Sequence, residues 1–169
     1  MRRRFMHVLA VSCLLLSWGC VSIKHSPSAR LFVLRAAAEP PVTERAIASP
    51  VLVGVMPAAL PDHLVRSQMV TWSSDNEVHL EEYARWAEPL DVGVTRVVRE
   101  NLGILLSAYR FVDYPWRTEA PVRCRVQVEV RLFGLQPDGT VRLDGRWALL
   151  APGSDEPLEV QPVAFQSDE

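Results

Sequence analysis

Few side chains in this sequence are equipped for covalent chemistry, and the thiols come first. There are three cysteines: Cys13, Cys20 and Cys124. Cys20 closes the run Leu14-Leu15-Leu16-Ser17-Trp18-Gly19-Cys20, a thiol set directly after a glycine at the end of an apolar stretch. A cysteine there is the nucleophile that forms a thioether with a diacylglyceryl group, and the small residue before it is what a signal peptidase requires in order to cut. Cys13, after Ala10-Val11-Ser12, is a rival acceptor, but it would leave an apolar stretch of only about eight residues, short for the core of a signal peptide.

The segment that must deliver this thiol to a membrane precedes it. Met1 is followed by Arg2, Arg3 and Arg4, then by an apolar stretch from Phe5 to Leu16 broken by His7 and Ser12. That is the basic and then apolar organisation of a signal peptide. With its closing cysteine it resembles a bacterial lipobox, with residues 1–19 removed and Cys20 lipidated, although Ser17 and Trp18 depart from the usual residues there. The alternatives are an ordinary cleaved signal or an uncleaved anchor; Val8 to Ile23 is slightly short of the about 20 apolar residues a membrane span needs. Val21 occupies the place where an aspartate marks inner-membrane retention, so the expected location is the outer membrane, facing the periplasm. Residues 20–29 form a tether whose polar part, Ser22 to Ala29, spans at most about 3.5 Å per residue.

The other reactive groups give little. Loss of residues 1–19 leaves 15 basic against 20 acidic residues, a net charge of −5, which excludes a nucleic-acid binder that works by neutralising phosphates. Cys124 would be the one unmodified thiol, so no internal disulfide is expected. His25, His63 and His79 include no pair at ligand spacing, and neither a metal nor a cofactor is expected. There is no G-x-S-x-G elbow, phosphate loop, H-E-x-x-H or C-x-x-C; no catalytic residue is assigned. Glu77, Glu81, Glu82 and Glu88 read as solvated faces, Cys124 as inert packing and Trp147 as core. Tyr83, Arg85 and Trp86 bring together the residue types that dominate contact surfaces, though core packing is the favoured reading of Trp86, and the Arg85 to Trp86 step can also be an intramolecular stack.

At 169 residues, 49% hydrophobic and 22% charged, the chain fits one domain, residues 30–169, beyond the tether. Arg30 to Ala36 and Val51 to Pro57 read as short strands, and Gln68 to Ser73 with Glu77 to Leu80 as a hairpin about Ser74-Asp75-Asn76. After Glu88-Pro89 the apolar residues Leu90, Val94, Val97, Val98, Leu102, Leu105 and Leu106 recur at intervals of three and four, as on one stripe of an amphipathic helix. Arg123 to Leu132 alternates, with Cys124, Val126, Val128, Val130 and Leu132 on one side. A two-residue loop at Asp138-Gly139 would set Val130 opposite Trp147, Val128 opposite Leu149 and Leu132 opposite Gly145. Leu158 to Phe165 would extend the sheet, with Pro162 favouring an edge. The expected fold is α+β: a single domain with a mainly antiparallel sheet, a C-terminal three-strand meander, and one main amphipathic helix packed on it.

Several blocks, in order, resemble the PqiC-type (YmbA-like) lipoproteins, auxiliary components of ABC-type intermembrane transport systems. They are LFVLR (Leu31 to Arg35), VLVGV, LPDHLVRSQMV (Leu60 to Val70), EEYARWAEPL (Glu81 to Leu90), the helix with Val97 to Leu106, and Asp113-Tyr114-Pro115-Trp116. The resemblance implies a non-enzymatic outer-membrane lipoprotein that docks an envelope-spanning, PqiB-like MCE-domain transport protein, assembles as a homo-oligomer and serves lipid transport and membrane integrity. The contact region expected for that partner is Leu60 to Leu90, with Leu60, Pro61, Arg66, Tyr83, Arg85 and Trp86 as contact residues. Such lipoproteins usually continue past the last strand into a further amphipathic helix, so a chain ending at Gln166 to Glu169 reads as a shortened homologue or a truncated frame. The competing expectations are a lipoprotein that itself holds a hydrophobic ligand in a deep cavity, and a hydrolase with a site assembled from distant residues.

Overall fold

A computed structural model describes residues 27–40, 51–116 and 121–167. The expected signal peptide, Cys13 and Cys20, the expected lipidation site, lie outside the described residues. In chain order the elements are β1 (Arg30–Phe32), β2 (Val51–Val55), β3 (Gln68–Ser74), β4 (Glu77–Trp86), α1 (Leu90–Leu105), β5 (Tyr109–Asp113), β6 (Cys124–Leu135), β7 (Val141–Leu150) and β8 (Pro157–Gln166). The fold is α+β, with one helix among the described residues and an eight-stranded sheet.

The expectation of a mainly antiparallel sheet is corrected. Parallel pairings (β1 with β4, β2 with β5, β2 with β6, β3 with β6) outnumber antiparallel ones (β3 with β4, β6 with β7, β7 with β8). The physical reason lies in β6, whose length lets one edge carry β7 while the other is shared. Val53 and Val55 of β2 pair with Cys124 and Val126, Ala59 bridges to Glu129, and Thr71 of β3 meets Leu135. The segment after β2 follows β6 by hydrogen bonds from Met56 N to Val126 O, Ala59 N to Val128 O and Val130 N to Ala59 O, each 2.9 Å. The three carboxy-terminal strands are therefore an arm of a mixed sheet rather than the meander of a mainly antiparallel sheet that was expected. Alternation along one strand tells which face is buried; it does not tell the direction of a neighbour distant in sequence.

The β6–β7 register also differs from expectation. Val130 lies opposite Gly145, Val128 opposite Trp147 and Val126 opposite Leu149. The turn has three residues, Pro137 to Gly139: Gln136 N donates to Thr140 O at 2.8 Å, and Gly139 takes φ 88°, the left-handed conformation that this loop length places on a glycine. A bulge between Val130 and Leu132 adds a second one-residue shift. The two shifts together preserve parity in the first half of β6 and reverse it in the second. Phe133 and Leu135 thus pair with Leu143 and Val141, and Phe133, not Leu132, joins the core.

That core consists of Leu64, Val70, Leu90 and Val130, with Leu34, Leu60, Leu80, Trp86, Val94, Val128 and Phe133 packed on it. The helix begins where expected. Its amino end, Leu90 and Val94, enters the core, whereas Leu105 and Leu106 at the other end are exposed. Trp147, expected in the core, is half-buried. β5, which the sequence reading did not identify as a strand, pairs in parallel with β2 and is the strand closest to α1. β8 is exposed along all ten of its residues.

Candidate docking site

The segment between Ala59 and β3 folds back on itself through hydrogen bonds from Leu64 N to Pro61 O, Val65 N to Asp62 O and Arg66 N to Leu64 O. These turns bury Leu64, which is 2% exposed, and push Val65, Arg66 and Ser67 outward. A 2.7 Å bond from Trp86 N to Ser67 O then closes the start of β3 against the end of β4. Beside this junction lies a groove of about 380 Å³, walled by Val65, Arg66 and Pro89 and floored by Trp86 and Leu90.

The floor is rigid because Trp86 is anchored from below. Its ring stacks on Phe133 with centroids 6.0 Å apart and planes at 22°. The rim is held by Arg96 on α1, whose guanidinium reaches Glu88 at 2.5 Å, Glu100 at 3.2 Å and the carbonyl of Leu34 at 2.9 Å. Hydrogen bonding to Glu88 holds the Arg96 proton above its ordinary affinity, with a smaller contribution from Glu100. Asn101 continues the strap, its Oδ1 accepting from Ala37 N at 3.1 Å and Ala38 N at 2.9 Å. Thr95 Oγ1 accepts from Ala58 N and donates to Asp91 O. Arg96, Thr95 and Asn101 thus pin α1 to two separate chain segments. None was singled out from the sequence, since a polar residue on an amphipathic helix looks solvated until its distant acceptor is known.

The six residues expected at the contact region do not form one surface. Arg66 and Trp86 line the groove. Leu60 packs on the core, and Pro61 is half-buried with its carbonyl engaged by Leu64. Tyr83 and Arg85 alternate with the inward-facing Ala84 and Trp86, so they lie on the opposite face of β4. There Arg85 is flanked in register by Leu31 of β1 and Gln68 of β3, and its Nε donates to Glu82 O.

Elsewhere, a second open cleft lies between α1 and β5. Its Arg99 already faces Glu100 at 3.8 Å and Asp113 at 3.1 Å, the latter a close ion pair lacking hydrogen-bond alignment. His63 packs edge-to-face on Trp72 with centroids 5.8 Å apart, and His79 sits opposite Thr71. Among the described residues no group of three or more His, Cys, Asp or Glu side chains is arranged to hold a metal, and no helix is long and apolar enough to cross a membrane. Cys124 is half-buried, and that burial pushes its thiol above its ordinary pKa.

Among the described residues a mixed sheet with one helix carries an open groove floored by Trp86. The chain belongs to the ABC-type transport auxiliary lipoprotein component family, whose model matches residues 32–168. This is a family of transport auxiliary components, which points to a non-enzymatic role in a transport system with partners, and to a membrane-associated, periplasmic lipoprotein. Among solved structures it resembles one described as an uncharacterized protein, with a TM-score of 0.64 and 21% identity over 83% of this chain and 80% of that one. It also resembles protein XCC0632 from Xanthomonas campestris, assigned to family DUF330, with a TM-score of 0.66 and 11% identity over 82% and 77%. At such identities these likenesses establish the fold. A search of curated proteins finds no match.

Proposed function

We propose that this protein is an outer-membrane lipoprotein, cut after Gly19 and anchored through Cys20, that docks an envelope-spanning MCE-domain transport protein of PqiB type from the periplasmic side and so serves intermembrane lipid transport. The domain takes no part in bond-making. Its task is to present a fixed surface at a membrane to a partner that brings the lipid.

The observation that carries this reading is the groove at the β3–β4 junction. An aromatic floor braced by Phe133 costs little entropy to present, and the Trp86 ring beside the cation of Arg66 pairs the residue types enriched at contact hot spots, with Val65 exposed at the wall. The alternative, direct storage of a hydrophobic ligand, requires a concavity that buries most of the ligand. The cleft between α1 and β5 and the groove at the β3–β4 junction are both open, and neither encloses a ligand in that way.

The test is co-purification of the full lipidated chain with an MCE-domain protein from the same cell, repeated with Val65→Glu and Arg66→Glu. Both side chains are exposed, so the variants should melt with the wild type while losing the partner at least tenfold. Retention of the partner by both variants would remove the groove from the docking surface. Failure of the wild type to co-purify any MCE-domain protein would overturn the function itself.

A further inference from the structure

The charge of the chain is unevenly placed around the expected anchor. From Cys20 to Ala38 the charged residues are Lys24, Arg30 and Arg35, and the first carboxylate is Glu39, although acids outnumber bases beyond residue 19 as a whole. A basic stretch beside a membrane attachment point is drawn to anionic headgroups.

The described part of that stretch pairs its cations with apolar side chains that the domain leaves uncovered. Leu31 is 67%, Phe32 37% and Val33 54% exposed, and Arg30 and Arg35 bracket them. The Arg30 guanidinium lies over the Phe32 ring, 5.6 Å from its centroid. Arg85 of β4 stands in register with Leu31 and adds a further cation. Among the described residues Arg30, Arg35 and Arg85 have no carboxylate within ion-pair distance. The run is also held firmly: Leu34 packs on the core, its carbonyl accepts from Arg96, and the amides of Ala37 and Ala38 donate to Asn101. A surface that grips Leu31 to Val33 therefore grips the whole domain.

We propose that Arg30 to Arg35 lies against the headgroup layer of the bilayer that holds the anchor, with Leu31, Phe32 and Val33 entering the interface and Arg30, Arg35 and Arg85 meeting lipid phosphates. This rests on the reading of Cys20 as the lipidated residue and adds the face that the domain turns to its membrane. Exposed apolar runs mark contacts with proteins or with membranes, and two observations select the membrane. The first is reach: Arg30 is ten residues past Cys20, so the run stands no more than about 35 Å from the bilayer. On so short a tether even a weak contact is reinforced by its high effective concentration. The second is charge, since unpaired arginines complement anionic lipid, and their apolar stems and the Phe32 ring suit the boundary between headgroups and acyl chains. The path of paired strands runs from β1 through β4, β3, β6 and β7 to β8. The contact thus leaves β8, at the other end of that path, in water.

The experiment uses the full lipidated chain carrying Cys124→Ala, reconstituted in vesicles of phosphatidylcholine with about one third phosphatidylglycerol, and a nitroxide attached through Val33→Cys or, as a control, Leu158→Cys. Both positions are exposed, so the labelled chains should melt together. The ratio of collisions with oxygen, which concentrates in the bilayer, to collisions with a water-soluble nickel chelate should be several-fold higher at position 33 than at position 158. Arg30→Glu with Arg35→Glu should bring the ratio at 33 down to that at 158, and so should salt at about 1 M, which screens the charges. Equal ratios at the two positions in the unreversed chain would overturn the contact while leaving the anchor standing. A label at 33 shielded from both reagents would overturn it too, because that is the signature of a contact with protein. A chain that washes off the vesicles would overturn the anchoring and this contact together.

Discussion

Trp86 on β4 lies stacked upon Phe133 on β6, ring centroids 6.0 Å apart, although the alternation along β6 points Leu132 to the core in its place. The bulge between Val130 and Leu132 makes the exchange. Replacing Phe133 by alanine removes the support of the groove floor together with core contacts, and should destabilise the fold by about 2–4 kcal/mol. Leu132→Ala should cost about 1 kcal/mol or less, since Leu132 sits opposite Asp144 on the other face. Denaturant unfolding of the two variants checks this, and equal costs would contradict the bulge.

Gly54 in β2 lies under the indole of Trp116, where an added Cβ would come within 2.5 Å of the ring. Gly54→Ala should therefore destabilise the protein by about 1–3 kcal/mol through overpacking. In a Trp116→Ala background the same substitution should be nearly neutral, giving a coupling energy of about 1 kcal/mol or more in a double-mutant cycle. Additive costs would place Trp116 elsewhere.

Arg96 joins Glu88, Glu100 and the Leu34 carbonyl in one planar fork. Arg96→Lys keeps the charge but not the fork, and should lower the melting temperature. Glu88→Gln should cost less, because its partner keeps two acceptors. Thermal melts of both variants, with amide exchange of Ala37 and Ala38 as a local reporter, read the effect. Unchanged exchange in Arg96→Lys would show that Asn101 holds that segment alone.

Asp138 accepts hydrogen bonds from the amide and the hydroxyl of Thr140 at 3.0 and 2.8 Å, and these bonds hold its carboxyl below the ordinary range. A depressed carboxylate pKa contributes stability that is present above the unfolded value and is lost as pH falls through the folded one. A carboxyl titration by NMR should find Asp138 below the usual midpoint of about 3.9, and Thr140→Ala should move it upward. The Cys124 thiol, shifted the opposite way by burial, should be alkylated more slowly at neutral pH in the folded protein than in denaturant. Equal rates would mean that it is open to solvent.

Much of the local structure was legible in the chain. The recurrence of Leu90, Val94 and their successors located α1, Ser74-Asp75-Asn76 located the β3–β4 turn, and strict alternation located β6 and its partner β7. Glu81 to Trp86 was less legible: the strand continues through it, but its acidic and aromatic residues do not alternate cleanly, and a register shift lies within its pairing with β3. Of the six contact residues named from sequence, only Arg66 and Trp86 share the groove, because Tyr83 and Arg85 fall at the other parity of the same strand.

What the sequence determined by itself is therefore local: the helix, the turns, and which residues of each strand are alike. Those follow from periods of two and of 3.6 residues and from turn chemistry, which act over a few positions. Only the tertiary structure decided that β2 and β3 run parallel to β6, that one bulge exchanges Leu132 for Phe133, and that Arg96 on the helix finds the carbonyl of Leu34. Each of these joins residues far apart along the chain, where the choice depends on which packed arrangement buries the most apolar surface while satisfying the backbone, and no short stretch of sequence contains that information.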